Sequence, residues 1–140
     1  MNVSIFHDMT CKLPLPGLLE GVANIIRTDE KLAVFTRSYR QTGSKTFKNE
    51  SQLFSVACLF EGGKGRSNIR QLTGMSLVDF DHVFPTDSTD NSNALRELKA
   101  KIIADPHTLM SYITMSGNGL RVIFTYEIAP EFSGVPKDEE

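Results

Sequence analysis

The segment Leu77-Val78-Asp79-Phe80-Asp81-His82 carries the side chains best suited to chemistry. On a strand, residues two apart share a face, so Asp79 and Asp81 project together while Val78 and Phe80 turn toward the core. Two adjacent carboxylates repel and favour a compensating charge. A hard divalent cation, Mg²⁺ or Mn²⁺, supplies that charge through oxygen ligands. The competing account is a strand end with two solvated aspartates. Asp is disfavoured inside strands, which weights the pair toward use.

A second segment, Ser116-Gly117-Asn118-Gly119-Leu120-Arg121, lies between two strand-like runs and reads as a hairpin, Asn-Gly being a favoured hairpin dipeptide. It serves equally as a plain turn or as a phosphate cradle. In the cradle, the glycines let backbone N–H groups approach an anion. Ser116 adds a hydroxyl, and Arg121 a guanidinium suited to phosphate. A third segment, Tyr39 to Lys48, alternates basic, small and aromatic residues. It can track a nucleic-acid backbone, with Arg40, Lys45 and Lys48 joined by Arg66 and Arg70 further on. A solvated loop after a helix accounts for the same composition. His7-Asp8 and His107 read as loop or turn residues, and His82 as either a third polar group beside the Asp pair or a strand-end residue. The serines lack an identifiable base, which leaves a Ser/His/Asp hydrolase without support.

The elements that must position these residues follow from periodicity. Val3 to Phe6 reads as a short strand, and Leu13-Pro14-Leu15-Pro16 as a loop. Leu18, Leu19, Val22, Ile25 and Ile26 recur at helical spacing and predict a helix from about Pro16 to Arg27. Asp29 is the expected N-cap of a second helix that ends before Gly43. Phe54 to Phe60 alternates as one strand, Gly62 to Gly65 is a turn, and Ile69 to Leu72 and Met75 to Phe80 are strands. Thr86 to Asn93 is a polar loop. Ala94, Leu95, Leu98 and Ile102 give a third helix that stops near Asp105-Pro106. Leu109 to Met115 and Leu120 to Ile128 complete the strands. The pattern predicts an α+β domain over residues 1–128, a mostly antiparallel sheet with flanking helices. Residues 129–140 form a tail or a boundary to a longer protein.

With 140 residues, 40% hydrophobic and 23% charged, the chain has the composition of a globular domain rather than a disordered one. No apolar run approaches the ~18 residues of a membrane span, and no signal-peptide core follows Met1. Cys11 and Cys58 make no disulfide framework and no zinc motif, so a cytoplasmic setting is expected. The net charge of -2 is unevenly spread. Residues 1–75 hold 10 Lys and Arg against 6 Asp and Glu, and residues 76–140 hold 5 against 11. Such a chain can hold phosphates at one place and a cation at another.

An apolar strand ending in Asp-x-Asp, then a helix, then a Ser-Gly-x-Gly-Leu hairpin, resembles the archaeo-eukaryotic primase (primase-polymerase) superfamily. Gly43-Ser44-Lys45-Thr46-Phe47, Leu72-Thr73-Gly74, the Asp79/Asp81 strand and the Ser116–Phe124 segment more closely resemble the N-terminal domain of virulence-associated E (VirE-type) proteins. The resemblance spans roughly residues 30–128. It implies a primase-polymerase-like core in a bacterial, mobile-element replication protein. It also implies metal-dependent nucleotidyl transfer, with Asp79 and Asp81 as catalytic metal ligands. Ser116, Gly117, Gly119 and Arg121 would meet a nucleoside triphosphate. Arg40, Lys45, Lys48, Arg66 and Arg70 would meet single-stranded DNA or a primer-template. A helicase would be fused or partnered to it. Arg121 stands where such enzymes carry His, and neither Glu127 nor Glu131 sits in a hydrophobic-Asp motif, so the third acidic ligand lies beyond Glu140 in a longer protein or the site is degenerate. Weak or no primer synthesis is therefore expected from this chain alone. The alternative is a non-catalytic domain that binds single-stranded nucleic acid.

Overall fold

Among the described residues, eleven buried apolar side chains give the fold its interior, drawn from the strands, α1, α4 and the Val56 turn between Val3 and Ile123, with none from residues 23–55. The computed structural model describes residues 1–82, 92–127, 129 and 130. The expected polar loop at Thr86–Asn93 lies largely outside them, as do Glu131 and most of the tail.

Strand β1 (Asn2–Phe6) is central to a three-stranded antiparallel sheet, between β2 (Leu15–Leu18) and β3 (Leu53–Ser55). β2 corrects the expected loop. Pro16 stands opposite Ser4 on an edge strand, a place where a missing N–H breaks no ladder. Helix α1 (Leu19–Thr28) therefore begins at Leu19, later than about Pro16, and buries Leu19 and Val22. Helix α2 (Glu30–Thr42) starts as expected. The Asp29 carboxylate accepts from the Leu32 N–H at 2.6 Å, and Gly43 closes the helix with φ 68°. The basic segment after it folds into a short helix, α3 (Lys45–Asn49).

The expected single strand at Phe54–Phe60 is two. β3 pairs with β1, whereas β4 (Cys58–Phe60) pairs with β5 (Ile69–Leu72) in a separate two-stranded sheet. The break falls where the Thr73 hydroxyl and N–H donate to the carbonyls of Val56 and Ala57. Those bonds satisfy backbone groups that a continuous ladder would otherwise hold.

The third sheet has the order β6-β8-β7, formed by β6 (Met75–Phe80), β7 (Thr108–Ile113) and β8 (Leu120–Thr125), all antiparallel. Helix α4 (Ser92–Ile103) precedes β7. The architecture is α+β, as the periodicity predicts, with three small antiparallel sheets among the described residues in place of one.

The two faces of the third sheet follow from its register. Met75, Leu77 and Asp79 of β6 share a face with Ile123 and Arg121 of β8 and with Tyr112 of β7. Met75 and Ile123 belong to the core cluster with Val3, Leu19, Val22 and Val56, and Leu77, Met110 and Tyr112 pack against it. On the other face, α4 lies over β7 and β8 and buries Leu95 beside Leu120 and Val122. Val78 and Phe80 are consequently not core residues. They are 39% and 42% exposed on the outer face of edge strand β6. The expectation that they are core residues is not met: they share the face of buried Leu120 and Val122, but α4 lies over β7 and β8 and leaves this end of β6 open among the described residues.

Candidate functional site

Asp79 is the last residue but one of β6, and register places it directly across from Arg121 of β8. The Arg121 Nε and Nη2 donate to the same Asp79 carboxylate oxygen at 3.0 and 2.9 Å. Both side chains remain about one-third exposed, at 34% and 36%. Across β8, Arg121 faces Tyr112 of β7, so the three side chains form one row over the sheet. Burial opposes the charge of Arg121, but its bonding to Asp79 and the facing Tyr112 together outweigh that and hold its pKa above the ordinary value. Burial also pushes the Tyr112 phenol up, and the neighbouring Arg121 pulls in the opposite direction. The Tyr112 hydroxyl is shut off from solvent and makes no hydrogen bond of good geometry.

Asp81 follows the end of β6, and His82 after it takes the left-handed conformation, with φ 52°. His is among the residues that tolerate this region. The chain leaves the strand sharply there, with the Asp81 carboxylate beside the β7–β8 turn. A Cβ on Gly119 would lie 2.5 Å from the Phe80 carbonyl oxygen and 3.0 Å from an Asp81 carboxylate oxygen. Glycine at 119 is what allows that approach.

The turn is held from inside and from outside. Thr114 closes it through its N–H to the Gly119 carbonyl at 2.9 Å, and its carbonyl accepts from the Gly117 N–H at 2.9 Å. The Thr114 and Ser116 hydroxyls are 3.0 Å apart. The left-handed residue is Gly117, with φ 82°, rather than either member of the Asn-Gly pair. From α2, the Arg40 Nε donates to the Met115 carbonyl at 3.0 Å and Nη2 donates to the Thr114 carbonyl at 3.3 Å. Arg40 thereby ties the basic helix to the turn across 75 residues of sequence.

The structure thus gathers Asp79, Asp81, Ser116, Gly117, Gly119, Arg121 and Arg40 at one end of the third sheet. Lys45 and Lys48 stand exposed on α3, which packs against α2. Arg66 and Arg70 belong instead to the β4–β5 segment, where Arg70 pairs with Glu61 at 3.2 Å. Thr114 and Tyr112 are members that motif reading missed. Tyr112 was accessible to it, because strand alternation sets it on the face of Arg121 once the register is known.

Two carboxylates and a guanidinium make a poor resident metal centre. One Asp79 oxygen is already committed to Arg121. Among the described residues, no three His, Cys, Asp or Glu side chains gather as a metal set. Glu127 does not join the pair to make one. Among the described residues the site is open, with Asp79, Asp81 and Asn118 exposed. A cavity of about 160 Å³ lies elsewhere, between α1, α2 and β3, and a groove of about 430 Å³ runs along α1 and β7; neither is lined by Asp79, Asp81 or Ser116.

Fold and site define an α+β domain with a mixed-charge polar surface at the end of an antiparallel sheet. The chain belongs to the BT4734-like family, whose N-terminal domain model matches residues 46–137. No curated protein and no solved structure matches the chain. This membership overturns the expected assignment to the VirE-type domains and the primase-polymerase superfamily. The polymerase chemistry and the helicase partner implied by that resemblance lose their support with it. The motifs that carried the resemblance are short, and each has a structural use here: Arg121 neutralises Asp79, and the glycines of the turn satisfy local geometry. No helix among the described residues is long and apolar enough to cross a membrane.

Proposed function

We propose that this chain is a non-catalytic, cytoplasmic domain that binds single-stranded nucleic acid through its phosphates, along the surface running from α3 over Arg40 to the Ser116–Gly119 turn. The observation that carries the reading is the pair of hydrogen bonds from Arg40 to the turn. They set the cationic end of α2, and α3 beside it, next to the turn that carries the Ser116 hydroxyl, a group able to donate to a phosphate. The openness of the site favours an extended strand over an enclosed small molecule. The two free cysteines, Cys11 and Cys58, accord with a reducing compartment.

The test is fluorescence anisotropy with labelled single-stranded DNA across a salt series. Affinity should fall steeply as salt rises, through counterion release. Lys45→Ala/Lys48→Ala should weaken binding and flatten the log–log salt slope by roughly 1.4, about 0.7 for each lost phosphate contact to a single strand. Binding that is absent at low salt, or insensitive to salt, refutes the proposal.

A second reading adds a divalent ion. Asp81, unlike Asp79, forms no ion pair among the described residues, and it lies beside the Thr114–Ser116 hydroxyls. Mg²⁺ or Mn²⁺ there would help hold a nucleotide phosphate. Titration of Mn²⁺ into wild type and Asp81→Asn tests it, and equal affinity in the two removes it.

A further inference from the structure

The outer edge of β7 has no strand beside it among the described residues. Natural sheets blunt such edges with Lys, Pro or inward-pointing charge. The other edge of the same sheet, β6, carries Asp79, and edge strand β2 carries Pro16. β7 has a register irregularity between Thr108 and Met110, but past it the stretch Met110-Ser111-Tyr112-Ile113 is regular, and the strand holds no charge and no proline.

This edge is also the floor of the groove of about 430 Å³. One wall is α1, which contributes Leu19, Glu20, Ala23, Ile26 and Arg27, a single helical stripe. The other wall carries Lys99 and Ile103 of α4, and Ile103 is 52% exposed. The Ser111 hydroxyl at the floor is buried without a hydrogen-bond partner. Ser111 as a whole is only 8% exposed.

We infer that the β7 edge and the α1 stripe bind a second copy of this chain, as a two-fold dimer with β7 antiparallel to β7 of the partner. The strand is self-complementary in that arrangement. Centred on Ser111, the register sets the two serine hydroxyls opposite each other and Met110 opposite the partner's Tyr112. No like charges meet along the strand. The helix stripe is self-complementary in charge as well. Glu20 and Arg27 stand at its opposite ends, roughly 10 Å apart at 1.5 Å per residue, with the small Ala23 between them. An antiparallel α1 pair brings Glu20 against the partner's Arg27, and Arg27 against the partner's Glu20. In the single chain the Glu20 carboxylate forms an ion pair with the Met1 amino group, at 3.1 Å with both groups well exposed. Such a contact is weak and exchangeable. The inference is independent of the nucleic-acid reading, because it uses a different edge of the sheet.

Sedimentation equilibrium over a concentration series tests it. A mass twice the 15.6 kDa of the chain is expected for wild type. Arg27→Glu turns both symmetric pairs repulsive and should raise the dissociation constant about tenfold or more. Glu20→Arg should do the same, and the double variant Glu20→Arg/Arg27→Glu should restore the dimer. Circular dichroism checks that each variant is folded, which is expected because both side chains are exposed. A wild type that stays monomeric up to roughly 1 mM, the weak limit of specific association, overturns the inference and leaves the edge to another strand. A dimer indifferent to both single reversals overturns it too, because it must then use another surface.

Discussion

Gly119→Ala is the most direct probe of how tightly the Asp81 strand end and the β7–β8 turn are joined. A Cβ at 119 would stand 2.5 Å from the Phe80 carbonyl oxygen, 3.0 Å from an Asp81 carboxylate oxygen and 3.3 Å from the Thr114 hydroxyl. The first of these is backbone of the paired strand and cannot swing aside. Either β6 separates from β8 at the Phe80–Leu120 pair, or the turn shifts. Overpacking of this kind costs about 1–3 kcal/mol, and the backbone contact places Gly119→Ala at the upper end. Loss of unfolded-state freedom returns about 0.4–1 kcal/mol. A net loss of about 2 kcal/mol follows, or a melting temperature lower by roughly 4–8 °C. Urea unfolding at equilibrium measures it. Gly117→Ala is the control: its φ of 82° strains any side chain, but the nearest atoms belong to the end of Arg40, at 3.2 and 3.3 Å. Its cost should be about 1–2 kcal/mol from the left-handed backbone alone. A loss under about 1 kcal/mol for Gly119→Ala, or one smaller than that of Gly117→Ala, would show that the strand end and the turn are not in this contact.

Two further outcomes test the row across the third sheet. A double-mutant cycle on Asp79→Ala and Arg121→Ala should give a coupling of about 0.5–1 kcal/mol at low salt, limited by the partial exposure of both groups; no coupling there means the pair does not form. The tyrosinate absorbance titration should contain a step above the ordinary 10.0 that disappears in Tyr112→Phe. Because the folded pKa is the higher one, the stability that Tyr112 contributes is complete below pH 10.0 and is lost as pH rises through the folded value.

Local signals in the sequence were legible where chemistry is local. The Asp29 cap and the left-handed Gly43 bound α2 as their types predict, and Met75–Phe80 reads as a strand from its composition alone. The strand Phe54–Phe60 misled because alternation survives a break. Val56 and Cys58 are both buried, yet the chain changes sheets between Ser55 and Cys58, and the cause is Thr73, which no short window includes. The inward direction of Val78 and Phe80 failed for a related reason. Alternation assigns residues to two faces, but how far a covering helix reaches decides which are buried: α4 lies over β7 and β8, and Leu120 and Val122 are buried where Val78 and Phe80 on the same face are not.

The site shows the same division at a longer range. Period two predicts one shared face for Asp79 and Asp81, but β6 ends at Phe80 before Asp81, and the partner of Asp79 was not readable. Arg121 is drawn to it by register across 42 residues, and that pairing changes the chemistry expected of the motif. Two bare carboxylates favour a metal. A carboxylate held by a guanidinium favours an organised, nearly neutral surface at which the remaining cations decide the ligand. Arg40 carries the argument one step further. Its composition marked it as a phosphate contact, yet its Nε and one terminal nitrogen are spent on the Thr114 and Met115 carbonyls. Its role is to position the turn, and the free charge of that surface falls to Lys45 and Lys48. That is why the lysine pair, rather than the arginine, is where the salt slope should change.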